Sequence, residues 1–264
     1  MSSELALAAF AAETDLLGRP SVAIVGARAC SPYGASVARL LGRELAAAGL
    51  VVVSGLARGI DGEAHRGVLE GGGLTVAVLG CGIDRDYPAS HSQLARRIGE
   101  RGLIVSEYPP GVEPAPWRFP ARNRIIAGLA TAVVIVEARE RSGALITADL
   151  ALEDGRDVFA VPGEITSRLS AGTNRLLQQG AIPLTSSDEV LDVFGLSAAR
   201  EPEEPLDERA AAVLSALADG AASADQLTRT TGLEAGALSA ALTELELAGL
   251  VTETAGTFRA TVGV

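Results

Sequence analysis

The chain contains no lysine: all 22 basic residues are arginine. Every positive site is therefore a planar fork suited to phosphate or to stacking on bases, although a compositional bias of the genome would also produce this usage. The lysine-dependent P-loop is excluded outright. Cysteine is almost as scarce. Cys30 and Cys81 stand 51 positions apart with no CxxC or metal-ligand spacing, which fits a reducing cytoplasm and argues against a disulfide scaffold or zinc cluster. No window approaches the ~18 apolar residues of a membrane span, and the apolar stretch at 5–12 follows Glu4 rather than a basic segment. A spanning helix and a secretory leader are both argued against, and the protein is expected in the cytoplasm with no membrane partner.

What is present is an ordinary globular composition, 48% hydrophobic and 21% charged, in 264 residues. That is enough for one sizeable core plus a small second domain. The net charge of −11 would count against a polyanionic partner, but it is unevenly spread. Residues 21–195 hold 17 arginines against 19 acids, whereas residues 196–264 hold 4 against 11. The middle is nearly neutral and the tail acidic.

The middle segment repeats one pattern, a short Val- and Ile-rich run, a Gly-containing turn and a helical stretch. The runs fall at 22–25, 50–53, 74–79, 103–105, 132–136 and 158–161, with a possible edge strand at 181–184; helical patterns fit 34–48, 61–69, 90–99, 123–129, 144–154 and 173–179. This alternation predicts a doubly wound parallel sheet, a Rossmann-like α/β domain at 21–195 behind a tail at 1–20. Residues 196–205, with Glu201-Pro202-Glu203-Glu204-Pro205, read as a linker. Helical patterns at 206–218, 223–230 and 234–247 and a hairpin around Ala255-Gly256 then predict a small C-terminal winged-helix domain at 206–264.

In an open parallel sheet, ligands bind beyond the carboxyl ends of the strands. The turns there read Gly26-Ala27-Arg28, Ser54-Gly55-Leu56-Ala57-Arg58-Gly59, Gly80-Cys81-Gly82-Ile83-Asp84-Arg85 and Glu137-Ala138-Arg139-Glu140-Arg141-Ser142-Gly143, while residues 118–124 open a helix. Glycines that admit a ligand to the backbone, together with arginines on one rim, suggest an anionic ligand. The alternative reading is tight turns and a solvated rim. A dinucleotide dehydrogenase is argued against, because Gly26 is followed by Arg28 rather than a second glycine and the second run ends in Ser54-Gly55 rather than an acid. His65 and His91 are the only histidines; lacking a nucleophile or ligand at a recognised spacing, they read as structural. Asp84 and Asp86 read as turn and capping residues. No catalytic role, metal or cofactor is assigned.

Seven segments, VAIVGARACSPYG (22–34), SGLARGIDGEAH (54–65), VAVLGCGIDRDYP (76–88), SEYP (106–109), FPARNRIIAGL (119–129), VEARERSGALITA (136–148) and VFAVPGEITSRLSAGTNRLLQQG (158–180), closely resemble the DprA (Smf) family of DNA-processing proteins, collinearly over about 175 residues. The resemblance implies an extended Rossmann fold that binds single-stranded DNA, forms a homodimer through that fold and helps load the RecA recombinase during natural transformation, without enzymatic activity. It also implies the site residues. Arg28 resembles the principal phosphate-binding arginine, Gly26 lets the backbone come close, and Ser54, Gly55, Arg58 and Gly59 line the adjacent loop. Phe119, Arg122, Asn123 and Arg124 match the FPxRNR segment, suited to an unstacked base, and Ser142 and Gly143 complete the set. Asn123 and Asp61 are equally read as hydrogen-bond anchors of their loops.

There are departures from the family pattern. Ala89, Ser90 and His91 stand where a basic residue and an asparagine are common. Residues 1–20 are too short for the helical domain that many members carry first, so either the sequence starts within a longer protein or this lineage lacks that domain. The third helix of the winged domain has Glu234, Glu244 and Glu246 but no Arg, Asn or Gln, which points to protein docking or packing rather than DNA reading. A nucleotide-binding protein or nucleoside-monophosphate hydrolase of a related Rossmann fold is the competing function. Its PGGxGTxxE-like signature is not matched by residues 142–149, which lack the acid spacing.

Overall fold

The computed structural model describes residues 8–11, 14–196, 207–218, 220–247, 250–254 and 256–260. Two compact units are present, Met1–Ala199 and Arg200–Val264. In chain order the first contains β1 (Ala8–Ala11), β2 (Ser21–Val25), α1 (Pro32–Ala47), β3 (Val51–Ser54), α2 (Ile60–Glu70), β4 (Thr75–Leu79), α3 (Ser92–Arg101), β5 (Leu103–Ser106), α4 (Arg118–Leu129), β6 (Ala132–Ile135), α5 (Gly143–Glu153), β7 (Asp157–Ala160), α6 (Ala171–Gln178), β8 (Ile182–Pro183) and α7 (Asp188–Val193).

The strands form one sheet in the order β1-β5-β4-β3-β2-β6-β7-β8. β2 to β8 run parallel and β1 pairs antiparallel with β5. The parallel strands read as continuous apolar runs because both sheet faces are covered. Along β2, Val22 and Ile24 enter the core under α1, while Ala23 and Val25 enter the opposite core against α4 and α5; β6 divides Ala132 and Val134 from Val133 and Ile135 in the same way. This period of two is what a strand between two helical layers requires. A third cluster packs Leu94 and Ile98 of α3 on Ala77, Leu79 and Ile104.

The expected strands are all present, with one addition, β1. Ala8–Ala11 and the short 3-10 turn Thr14–Gly18, whose Leu16 is buried in the core, belong to the fold although the reading above leaves 1–20 as a tail. α7 is also additional. Of the expected linker at 196–205, residues 197–205 lie outside the described residues.

The second unit contains α8 (Glu208–Leu217), β9 (Ala222–Ser223), α9 (Ala224–Thr231), α10 (Ala235–Leu247), β10 (Val251–Thr254) and β11 (Thr257–Ala260), with strand order β10-β11-β9. Its core gathers Val213, Leu217, Leu227, Leu238, Leu242, Leu245 and Val251. A capping box between Ser223 and Gln226 starts α9. Glu244 and Glu246 of α10 are exposed.

Strand order reverses at β2: the chain builds outward through β3, β4 and β5, then returns to add β6 on the other side. That reversal separates the loops after β2 and β6 and leaves a crevice at their carboxyl ends.

Candidate nucleic-acid interface

The loop after β2 is held from two sides. Glu137, buried at the end of β6, accepts hydrogen bonds from the backbone N–H of Ser31 (2.9 Å) and from its hydroxyl; Ser31 Oγ in turn accepts from Gly34 N (3.0 Å), capping α1. From the other side, Ile60 N donates to Ala27 O (3.2 Å). Gly59, at φ +74°, lies so close to the carbonyls of Ala27 and Arg28 that any side chain would collide with them. Gly59 thus serves the Arg28 backbone and does not line the cleft. Gly26 does line it, but the space its missing side chain frees is occupied by Ile60 and the Glu137 carbonyl.

So held, Arg28 points outward with its guanidinium carbon 4.7 Å from the Phe119 ring centroid. Tyr87 stacks on Phe119 with centroids 5.3 Å apart and planes inclined by 23°. Arg28, Phe119 and Tyr87 all line a cleft of about 550 Å³ at the crevice. Asp61, Pro114, Pro116, Pro120, Arg139, Arg141, Ser142 and Gly143 also line it. Ser142 caps α5, accepting from Ala144 N (3.3 Å), and Asn123 Nδ2 donates to Gly143 O (3.0 Å), tying α4 to the start of α5. Asn123 is therefore a loop anchor as well as a lining residue. A recess beside the cleft is lined by Arg28, Gly55, Arg58, Tyr87, Phe119 and Arg122.

Burial and pairing set three of the expected residues apart. Ser54 is fully buried and its hydroxyl donates to Ile24 O (2.6 Å), so it stitches β3 to β2. Arg122 is 3% exposed; its Nη1 donates to Gly55 O (2.8 Å) and to Val78 O, fastening α4 to two strand ends. Burial lowers its pKa to about 10, against the opposing pull of the Asp61 carboxylate; burial likewise raises Asp61, against Arg122 and the amides of Ala57 and Gly55. Arg124 is exposed on α4 and paired with Glu107, away from the cleft.

Thus Gly26, Arg28, Phe119, Arg122, Asn123, Ser142 and Gly143 meet in the cleft, Gly55 and Arg58 line the recess, and Ser54, Gly59 and Arg124 line neither. Tyr87, Arg139 and Arg141 were not among the expected site residues. The two arginines stand in the turn directly after β6, where the rule about carboxyl ends already pointed. Among the described residues, Arg28, Arg58, Arg139 and Arg141 form no ion pair.

His65 and His91 belong to the interior. His91 Nδ1 lies 3.1 Å from Leu56 O. The Thr75 hydroxyl donates to Val52 O (2.6 Å), so His65 Nδ1, 2.7 Å from Thr75 Oγ1, carries the proton and donates. Its buried Nε2 has no partner, and burial lowers the imidazole pKa to about 3. Among the described residues no group of three His, Cys, Asp or Glu is placed to hold a metal ion, and no helix is long and apolar enough to cross a membrane.

Fold and site together define a Rossmann-like α/β protein whose arginine-rimmed aromatic cleft lies at a topological switch point. Residues 10–195 match the family model of DNA recombination-mediator protein A and residues 197–257 match the DprA winged helix domain, so the chain belongs to the DprA/Smf family. The DNA processing protein DprA of Streptococcus pneumoniae is 52% identical over 182 residues, covering 68% of this chain and 64% of that protein. The chain thus spans less than two thirds of that relative's length. A solved structure of DNA processing protein A from Streptococcus pneumoniae matches with a TM-score of 0.68 at 49% identity, covering 70% of this chain and 65% of that one. A Helicobacter pylori DNA processing protein A, whose structure describes its single-stranded DNA binding mode, matches with a TM-score of 0.67 at 32% identity, covering 74% and 89%.

Proposed function

We propose that the cleft binds single-stranded DNA, with Arg28 as its central phosphate contact and Arg58, Arg139 and Arg141 as further ones. The observation carrying this reading is the Arg28–Phe119–Tyr87 contact in a cleft also lined by Arg139 and Arg141, which form no ion pair among the described residues. A single strand offers phosphate charge and aromatic faces in alternation, which is the chemistry such a surface complements. Ser54, Gly55, Gly59 and Arg122 act as support behind it. The Helicobacter pylori relative supports the choice of ligand.

In the same reading the protein is a non-catalytic mediator of recombination in natural transformation. It protects incoming strands and helps load RecA, as a cytoplasmic homodimer through the Rossmann-like domain; family membership supports this role. The division into a strand-binding domain at 21–195, a linker and a winged domain at 206–264, with the acidic α10 docking protein rather than DNA, belongs to the proposal too.

The deciding experiment titrates a labelled single-stranded oligonucleotide at several salt concentrations, with duplex DNA and mononucleotides as competitors. Preference for the single strand, weakening with salt, is expected. Equal competition by mononucleotides would favour a small-nucleotide site instead.

A further inference from the structure

Trp117, the chain's only tryptophan, is 64% exposed at the start of α4. An indole that open to water buries little apolar surface, so its contribution to the core is small. Yet it is held in place. The guanidinium carbon of Arg118 lies 4.7 Å from the Trp117 ring centroid and 5.1 Å from that of Tyr108, and Arg118 also donates to Glu113 O. The guanidinium thus braces the indole, while the exposure leaves ring surface free.

The position continues the cleft. Ala115 and Pro116, directly before Trp117, line its wall, and Phe119 follows two residues later. Phe119 already carries Tyr87 and Arg28 against its ring. Trp117 is the large aromatic surface beside the cleft that has no such double cover.

We propose that Trp117 is a separate base-stacking subsite, taking one unstacked base of a strand whose phosphates lie along the arginine rim; the inference rests on the single-strand reading above. Every base has a π-face, so the subsite is sequence-tolerant, and an uncharged ring adds affinity without adding a phosphate contact. A nucleic-acid base fits better than a protein side chain because Ala115 and Pro116, directly before the indole, line the arginine-bearing cleft.

The test uses the full chain and a single-stranded oligonucleotide of mixed sequence, read by oligonucleotide anisotropy and, separately, by Trp117 emission. Expected are quenching of the indole on binding, a loss of about 10-fold in affinity for Trp117→Ala, and a smaller loss for Trp117→Phe. The salt slope of Trp117→Ala should match the parent, whereas a change acting through Arg118 would alter it. If the oligonucleotide binds but emission stays constant and Trp117→Ala binds like the parent, the subsite is refuted while the cleft reading stands; an indole that docks a protein gives that result. If no variant or parent binds single strands, the cleft reading fails and the subsite with it.

Discussion

The guanidinium of Arg122 occupies the space that a β-carbon on Gly55 would need, although the two residues are 67 positions apart. The contact fixes α4 against the end of β3, so an arginine in a motif suited to DNA serves the interior. Arg122→Ala would leave the buried Asp61 carboxylate without its main opposing charge. It should cost about 3 kcal/mol or more, and Gly55→Ala about 1–3 kcal/mol through overpacking, both measured by chemical denaturation. Unchanged midpoints would return Arg122 to the surface.

Arg28→Ala should weaken single-strand binding strongly and flatten the salt dependence by ~0.7 log unit per log unit of salt for each lost phosphate contact. Arg139→Ala and Arg141→Ala should each do so in part. An unchanged affinity and slope for folded Arg28→Ala would remove that residue from the site.

Arg124→Ala, by contrast, should change single-strand affinity by less than about twofold, since its charge already pairs with Glu107 at the surface. Stability should fall by no more than about 1 kcal/mol. A loss comparable to that of Arg28→Ala would mean that the strand displaces Glu107.

Folded-state burial holds His65 neutral down to a pKa of about 3, whereas the unfolded chain protonates it near 6.5. Its stabilising contribution is therefore complete above pH 6.5 and is lost as pH falls below that value. By pH 5 the loss should reach about 2 kcal/mol, at ~1.36 kcal/mol per pH unit. Denaturation at pH 7.5 and pH 5 should register this in the parent and less of it in His65→Gln. Equal slopes would assign the acid sensitivity to other groups.

A chain ending at Gly195 should keep or slightly gain single-strand affinity, most visibly at low salt. Removal of residues 196–264 takes the formal charge from −11 to −4, reducing repulsion of a polyanion. Loss of binding by a folded, dimeric truncation would place the winged domain on the DNA.

Much of the fold was legible because β2, β3, β4 and β6 are covered on both faces and so read as apolar runs rich in Val. β1 escaped because its alanine-rich run carries little strand signal and pairs at an edge, antiparallel to the rest. In α4, position 122 stands three and four residues before the buried Ile125 and Ile126, a spacing that places Arg122 on the inward face and could have been read. The Tyr87–Phe119–Arg28 contact could not, because it joins two loops and the first turn of α4, which only the folded sheet brings together. Glu137 was visible as part of a turn, but its grip on Ser31 depends on β6 lying beside β2.

That last adjacency bears on the order in which the protein can be made. During synthesis β2 to β5 emerge first and can form half of the sheet, with Val22, Ala23, Ile24 and Val25 along an open margin until β6 arrives more than a hundred residues later. For that interval the nascent chain presents an apolar strand with one unpaired edge, which can recruit neighbours into aggregates. The cleft needs loops from both halves, so no prefix of the chain that stops before β6 can form it.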